Sequence, residues 1–529
     1  MAVSENSILE DTQRTQGHEA LRKNVAAGLA LAGAVRSTLG PKGLDKLLVD
    51  NQGRTLVTND GVTVLRTAKV EHPIAKMIIS ASETQEKSVS DGTTSTVILC
   101  AELLRNAWYL VSQGVHPSVV SRGYSMAENH AMSELHSLKL EAPSMEVVRT
   151  VLEGKLNAES RELLSKLAVE AADNIFDEAS NKSDATRVKK LQLTGDSVSG
   201  TRLVSGLMVA KTCVHPEMNT NLSNGKILLI DGGIERESLT SDVKIKVEST
   251  GVLEAFRKQE ISRLETIVEK INDNGIQLVV CRDGIDDEAR ESLYRKGILA
   301  YRRVEKNDLD LISRSTGASL INDVLSMREE DVGIFAKSRQ EQIGGVNYWI
   351  LESQGKGATF VATGTTDEIT AEVERCFDDA FGVACQMRSD PSVLPGAGAV
   401  YIALARSMRR FAETIPGREQ LAIEAWADAL EIVPRVLAEN AGMDPTDSIL
   451  SLTASQSKIG STIGINHENK SFDCSVKRNV YDLFSVVSQI ITGGNEAAIS
   501  VLRIDDILWA QQDAEIPEDV QERLENPMA

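Results

Sequence analysis

Aromatic residues, proline and paired cysteine are all scarce in this 529-residue chain, and each shortage excludes something. Aromatics make up only 4%, so the cores are expected to be aliphatic. No proline lies between Pro216 and Pro391, so the elements there connect through Gly and Asp turns. The six cysteines (Cys100, Cys213, Cys281, Cys376, Cys385, Cys474) include no CxxC pair and no Cys/His cluster. That argues for a reducing compartment and against a zinc site. No apolar run reaches the roughly 18 residues of a membrane span, and the first residues, MAVSENSILEDTQRTQ, have neither a basic nor an apolar region of a secretory signal. A cytoplasmic protein is expected. The 57 Lys+Arg stand against 77 Asp+Glu, a net charge of −20, which disfavours nucleic-acid binding. Eight acids and one base lie between Ile504 and Ala529, so that end reads as a solvated tail.

What the chain does contain is enough length for about three domains and a change of character along it. Residues 19–38 carry Leu21, Val25, Leu29 and Ala32 at helical spacing, with Gly40-Pro41 as the stop. Arg54–Leu65 alternates around Asp60-Gly61 and reads as strand, tight turn, strand. Helices are expected from His72, from Asp91 to about Ser112, and over Ser118–Leu138. The middle third reads as strand 226–230, helix 253–273, strand 277–281, helix 286–296, strand 298–302 and helix 308–316, a βαβ pattern with a parallel sheet. The last third is helical again, over 371–388, 397–412, 418–440 and 483–511, with a short strand pair before the last. Helical, then α/β, then helical suggests an α/β domain inserted into a helical one.

Four Asp-Gly pairs begin at Asp60, Asp91, Asp231 and Asp283, and turn chemistry is the plain reading for most. Asp91 differs. It heads Asp91-Gly92-Thr93-Thr94-Ser95-Thr96 just before an apolar helical run. Open N–H groups at a helix start, a Gly permitting close approach and a row of hydroxyls suit a phosphate, and an acid there suits Mg²⁺. Spacing alone favours the plainer alternative, an Asp N-cap. Gly40-Pro41-Lys42-Gly43 is a second Gly-rich turn. Gly396-Ala397-Gly398 is half of GxGxxG, but Tyr401 stands where the third Gly belongs. No Walker A, HExxH or GxSxG sequence occurs, and the seven histidines form no ligand pattern.

Taken together, Thr38–Lys46 (TLGPKGLDK), Thr58-Asn59-Asp60-Gly61, Glu71-His72-Pro73, Asp91-Gly92-Thr93-Thr94, Gln113–Pro117, Arg418–Ala425, Ala438-Glu439-Asn440-Ala441-Gly442 and Leu502–Asp506 resemble a group II chaperonin subunit, of the archaeal thermosome and eukaryotic cytosolic chaperonin family. The likeness runs from about Thr12 to about Ala510. It implies a multidomain α and α/β fold: a helical, ATP-binding equatorial domain (1–141 and 397–529), a small α/β intermediate domain (142–207 and 361–396), and an inserted α/β apical domain (208–360) that binds unfolded polypeptide and carries a helical lid segment at about 238–256. It also implies two stacked rings of eight or nine subunits, homomeric or shared with paralogues, no nucleic acid or membrane partner, and ATP and Mg²⁺ as cofactors.

By the same resemblance, Asp91 holds Mg²⁺, Gly92, Thr93, Thr94 and Ser95 form the phosphate loop, and Leu39, Gly40 and Pro41 close over the nucleotide. Asp60 lies near the γ-phosphate, Asp379 (in preference to Asp378) is catalytic, Lys155 senses the γ-phosphate, and Asp482 lies near the ribose. Gly398 belongs to the family's Gly-Gly-Gly-Ala-x-Glu segment. The chain departs from the family at Ser90 and Ala397 (Gly in the family), Tyr401 (Glu), Leu483 (Pro) and Val487 (Lys), and it lacks the Gly/Met-rich tail. The expected function is an ATP-driven folding machine. The alternatives are a divergent ring subunit or holdase with little turnover, and an ordinary α/β phosphotransferase.

Overall fold

The computed structural model describes residues 12–510 apart from 50–52, 54, 69, 179, 237–249 and 354–356. Most of the expected lid segment, Ser238–Phe256, therefore lies outside the described residues, as do all residues after Ala510. The chain divides into two compact units, one from residues 1–157 and 391–529, the other from 158–390. It is a mixed α and α/β protein with several small sheets.

The first unit is built round the helix Thr93–Ser112, which is buried continuously from Thr94 to Leu104. The helices Gly17–Val35, Pro73–Val89, Glu419–Leu430 and Phe484–Leu502 pack against it. Their contact residues are mostly Ala, Val, Ile and Leu, as the low aromatic content requires. Two His-Pro steps start helices in the same way. Pro73 and Pro117 occupy the first helical turn, where no N–H is needed. His72 and His116 accept the next N–H on Nδ1, from Ile74 at 3.3 Å and Ser118 at 3.2 Å.

Three sequence expectations change here. The segment Arg54–Leu65 is not a hairpin: Thr55–Thr58 is a strand, but Gly61–Thr67 is a helix, because Asp60 caps it by accepting from the N–H of Val62 and Thr63. The strand's partner is Lys46–Val49. The expected helix 418–440 is two helices, Glu419–Leu430 and Ile432–Asn440. Pro434 cannot donate to Leu430 and its ring crowds that carbonyl, so the first helix ends there. The expected helix 483–511 stops at Leu502. Asp506–Ala510 is instead a strand antiparallel to Thr12–Gln16, with Gln16 opposite Asp506 and Thr12 opposite Ala510.

The second unit holds two larger sheets. A three-stranded sheet places Ala358–Gly364 between Val188–Thr194, parallel to it, and Arg202–Ser205, antiparallel. The helices Ala158–Ile175 and Asp367–Ser389 pack together beside it, with Phe360 stacked on Phe377 at 3.6 Å between ring centres. A seven-stranded sheet contains the expected parallel strands, Leu222–Ile230, Ile276–Cys281 and Leu299–Tyr301, with helices between them. Its other half is antiparallel: the hairpin Gly333–Ile343 and Val346–Glu352, then Leu207–Val209. The sheet is thus mixed rather than wholly parallel.

Candidate functional site

The site is best built from the start of the helix Thr93–Ser112. Its N-cap is Gly92, at φ 81°, and no side chain caps it. The plain reading of Asp91 as an ordinary N-cap therefore fails. Its carboxylate accepts from the N–H of Gly92 at 2.7 Å and leaves the N–H groups of the helix's first turn uncovered by any side chain. Those N–H groups carry the positive end of a 20-residue helix. A Cβ at Gly92 would lie 2.7 Å from Ile490 Cδ1 and 2.9 Å from Gln85 Nε2, so only glycine fits. Gln85 is fully buried on the preceding helix and donates to the carbonyl of Asp91 at 2.8 Å. Ser82 donates to the carbonyl of Thr93. The loop is thus held by the preceding helix.

Other candidate segments lie near this helix start or near one another. The Asp60-Gly61 turn lies against it so closely that a Cβ on Gly61 would overlap the Thr94 hydroxyl. The Asp60 carboxylate is held by the N–H of Val62 (3.3 Å), the N–H of Thr63 (2.9 Å) and the Thr63 hydroxyl (2.6 Å). Gly154, at φ 84°, lies on Pro41, with its would-be Cβ 2.6 Å from the Pro41 carbonyl oxygen. Lys155 follows it and acts electrostatically on Asp91. Gly40 and Gly398, at φ 83° and 77°, both abut Leu437. Asp482 lies on the strand Tyr481–Leu483, opposite Leu394 of Ser392–Pro395.

The acids of this site act on one another. Burial raises the Asp91 carboxyl above its ordinary range and Asp60 adds to this, while Lys155 and the Gly92 N–H oppose it. Asp482 is pushed up to about 7, first by burial and then by the charge of Asp91. The buried Tyr401 phenol is raised by burial, then by Asp482 and Asp91.

Leu39, Gly40, Pro41, Asp60, Asp91–Ser95, Lys155, Gly398 and Asp482 all belong to the first unit. Asp379 lies in the second, on the helix Asp367–Ser389. Its neighbour Asp378 is bound to Lys190 at 2.5 Å.

The profile of the TCP-1/cpn60 chaperonin family matches residues 31–512. The chain belongs to the TCP-1/cpn60 chaperonin family. Among similar proteins are the thermosome subunit of Methanocaldococcus jannaschii, 38% identical over 512 residues (95% of this chain, 94% of that one), and the thermosome alpha subunits of Archaeoglobus fulgidus, 38% identical over 514 residues (95% and 94%), and of Thermoplasma acidophilum, 37% identical over 513 residues (96% and 94%). These place the chaperonin in group II, and they leave no room for an unrelated phosphotransferase.

Two departures from the family sequence keep a glycine-like backbone. Ser90 and Ala397 take φ of 57°, the left-handed conformation that side chains resist. Sequence reading missed the residues that support the chaperonin's loops, Gln85, Leu437 and Asn440. Asn440 stood inside a recognised block, but nothing in its spacing pointed to a loop 400 residues earlier.

Proposed function

We propose that this chaperonin subunit binds ATP with Mg²⁺ at the start of the helix Thr93–Ser112 and hydrolyses it to drive the folding of captured polypeptide. The uncapped helix start, with Asp91 beside it and Lys155 in electrostatic reach, carries the reading.

Phosphoryl transfer to water needs charge neutralisation and an aligned nucleophile. The first-turn N–H groups of Thr93, Thr94 and Ser95 would take phosphate oxygens, with the hydroxyls of that row beside them. Among the described residues no three His, Cys, Asp or Glu side chains form a closed metal site. One carboxylate plus phosphate oxygens and waters is how Mg²⁺ is usually held, and Asp91 fits that role. Bound there, Mg²⁺ supplies neutralisation of the phosphate charge. Leu39, Gly40 and Pro41 close over the nucleotide, Gly398 lines it, and Asp482 faces the ribose. Asp60, fixed by its three hydrogen bonds, orients the attacking water. Asp379, chosen on the family resemblance, polarises it.

In this reading residues 1–141 and 397–529, all within the helical unit, form the equatorial domain, 142–207 and 361–396 the intermediate domain, and 208–360 the apical domain, with a built-in lid. The subunit works in two stacked rings in the cytoplasm. The hairpin Lys46–Val49/Thr55–Thr58, which exposes Leu47, Val49 and Val57, supports assembly through apolar contact. Unfolded or partly folded polypeptides are the clients.

A second reading, a ring subunit with little turnover, is favoured by one observation. The bulky, buried Tyr401 lies among the site's acids where the family carries Glu. One pair of measurements separates the two. With the first reading, the wild type hydrolyses ATP, while Asp379→Ala still binds it and loses turnover. Unchanged hydrolysis in Asp379→Ala would remove Asp379 from the mechanism, and a wild type that binds ATP without turning it over would favour the second.

A further inference from the structure

The loop Leu39-Gly40-Pro41 is held locally by a few backbone bonds, among them the Gly43 N–H to the Gly40 carbonyl at 2.9 Å. It follows a single 3-10 turn, Arg36–Thr38, and Pro41 has no N–H. Gly40 is in the left-handed region, which leaves the loop many alternatives in isolation. Yet its first carbonyl, that of Leu39, is taken up from a distant helix. The Asn440 side-chain nitrogen donates to the Leu39 carbonyl at 2.8 Å and to the Arg36 carbonyl at 3.2 Å. Both acceptors are carbonyl oxygens, so the amide must present its NH₂ group, and it ties the loop at Leu39 to the turn before it at Arg36.

The rest of that helix acts in the same direction. Leu437, one turn before Asn440, fills the space where a Cβ on Gly40 would stand. The same Leu437, with Pro434, packs against Gly398. Glu439 pairs with Arg36 at 2.6 Å. At the helix's other end, Glu431 is buried and bound by Arg409 at 2.5 Å. The helix Ile432–Asn440 is therefore seated at one end and grips two glycine loops at the other.

We infer that Asn440 is the positioning residue that presets the Leu39–Pro41 loop in its nucleotide-binding shape. It acts through the loop, and it removes the ordering cost that binding would otherwise bear. The inference rests on the ATP site proposed above. Its signature is a split: nucleotide affinity falls while the chemical step at saturation is preserved.

The test uses the assembled full-length chaperonin with ATP and Mg²⁺. Asn440→Ala should raise Kd and KM for ATP about tenfold, the equivalent of about 1.4 kcal/mol, with kcat within twofold of wild type. Asn440→Asp keeps size and shape but lacks the donor, so it should behave like Asn440→Ala. Asn440→Ser keeps one donor and should fall between them. If Asn440→Asp binds ATP as the wild type does, shape rather than donation holds the loop and the inference fails.

Hydrogen exchange without nucleotide gives a reading independent of the ATP site. The amides of Gly43 and Leu44, bonded to the Gly40 and Ser37 carbonyls at 2.9 and 2.8 Å, should exchange faster in Asn440→Ala. A wild type that binds no ATP would overturn the reading of the site itself. Where the wild type does bind ATP, unchanged exchange or unchanged ATP affinity in Asn440→Ala would overturn only the role of Asn440.

Discussion

Asp60 and Asp91 each precede a glycine and a helix, and the two carboxylates do opposite things. Asp60 turns back onto its own helix and spends its oxygens on the N–H groups of Val62 and Thr63 and the Thr63 hydroxyl. Asp91 engages only the adjacent Gly92 N–H among the backbone groups, and its helix start stays open. The first arrangement lowers the energy of the fold. The second keeps a buried carboxylate beside other acids, an arrangement that burial and repulsion make costly. A fold tolerates that cost where a ligand relieves it, and the two helix starts lie side by side through Gly61 and Thr94.

The contrast can be broken by substitution at the two positions. Asp91→Asn should lose roughly 10²–10³-fold in ATP turnover with stability unchanged or improved, as it removes a buried charge and no cap. Asp60→Ala should also lose turnover, but with about 1–2 kcal/mol of stability as well. Asp60→Asn restores the cap and not the turnover. Denaturation midpoints beside ATPase rates read both, and a large stability loss in Asp91→Asn would erase the distinction.

Asp482 sharpens it on the pH axis. Its carboxyl is raised to about 7, chiefly by burial. Between about pH 4 and 7 the folded state holds a proton that the unfolded state has released. Stability of the nucleotide-free protein therefore declines as pH rises through that interval. Asp482→Asn should match wild type near pH 4 and exceed it at pH 8, by a few kcal/mol at most. Thermal midpoints at the two pH values check this, and equal gains at both would refute it. The smallest effect is expected from Ser90→Gly and Ala397→Gly, about 0.5–1 kcal/mol of stabilisation each, as strain at positive φ is relieved.

Much of this was legible from residues, and the failures have physical causes. Asp91-Gly92-Thr93-Thr94 announces a phosphate site because hydroxyls, glycine and a helix start are local features. The alternation of 226–316 announces strands and helices because burial sets the period. Arg54–Leu65 misleads because an Asp-Gly pair serves equally in a tight turn and in a helix cap. The strand Asp506–Ala510 could not be told from a continued helix, because what decides it is pairing with Thr12–Gln16, almost 500 residues away. Asn440 fails for the same reason, since its partners are near in space alone. Local chemistry is written in the sequence, while support from afar is not.

The pairing of Thr12–Gln16 with Asp506–Ala510 has a consequence for biosynthesis. The second unit is one continuous stretch, 158–390, and can fold as it leaves the ribosome. The first unit cannot close until the strand near residue 510 has been made. Through most of translation, residues 12–157 must wait with an aliphatic surface uncovered. For its own maturation, then, a machine for sheltering unfinished chains passes through the condition it treats in others.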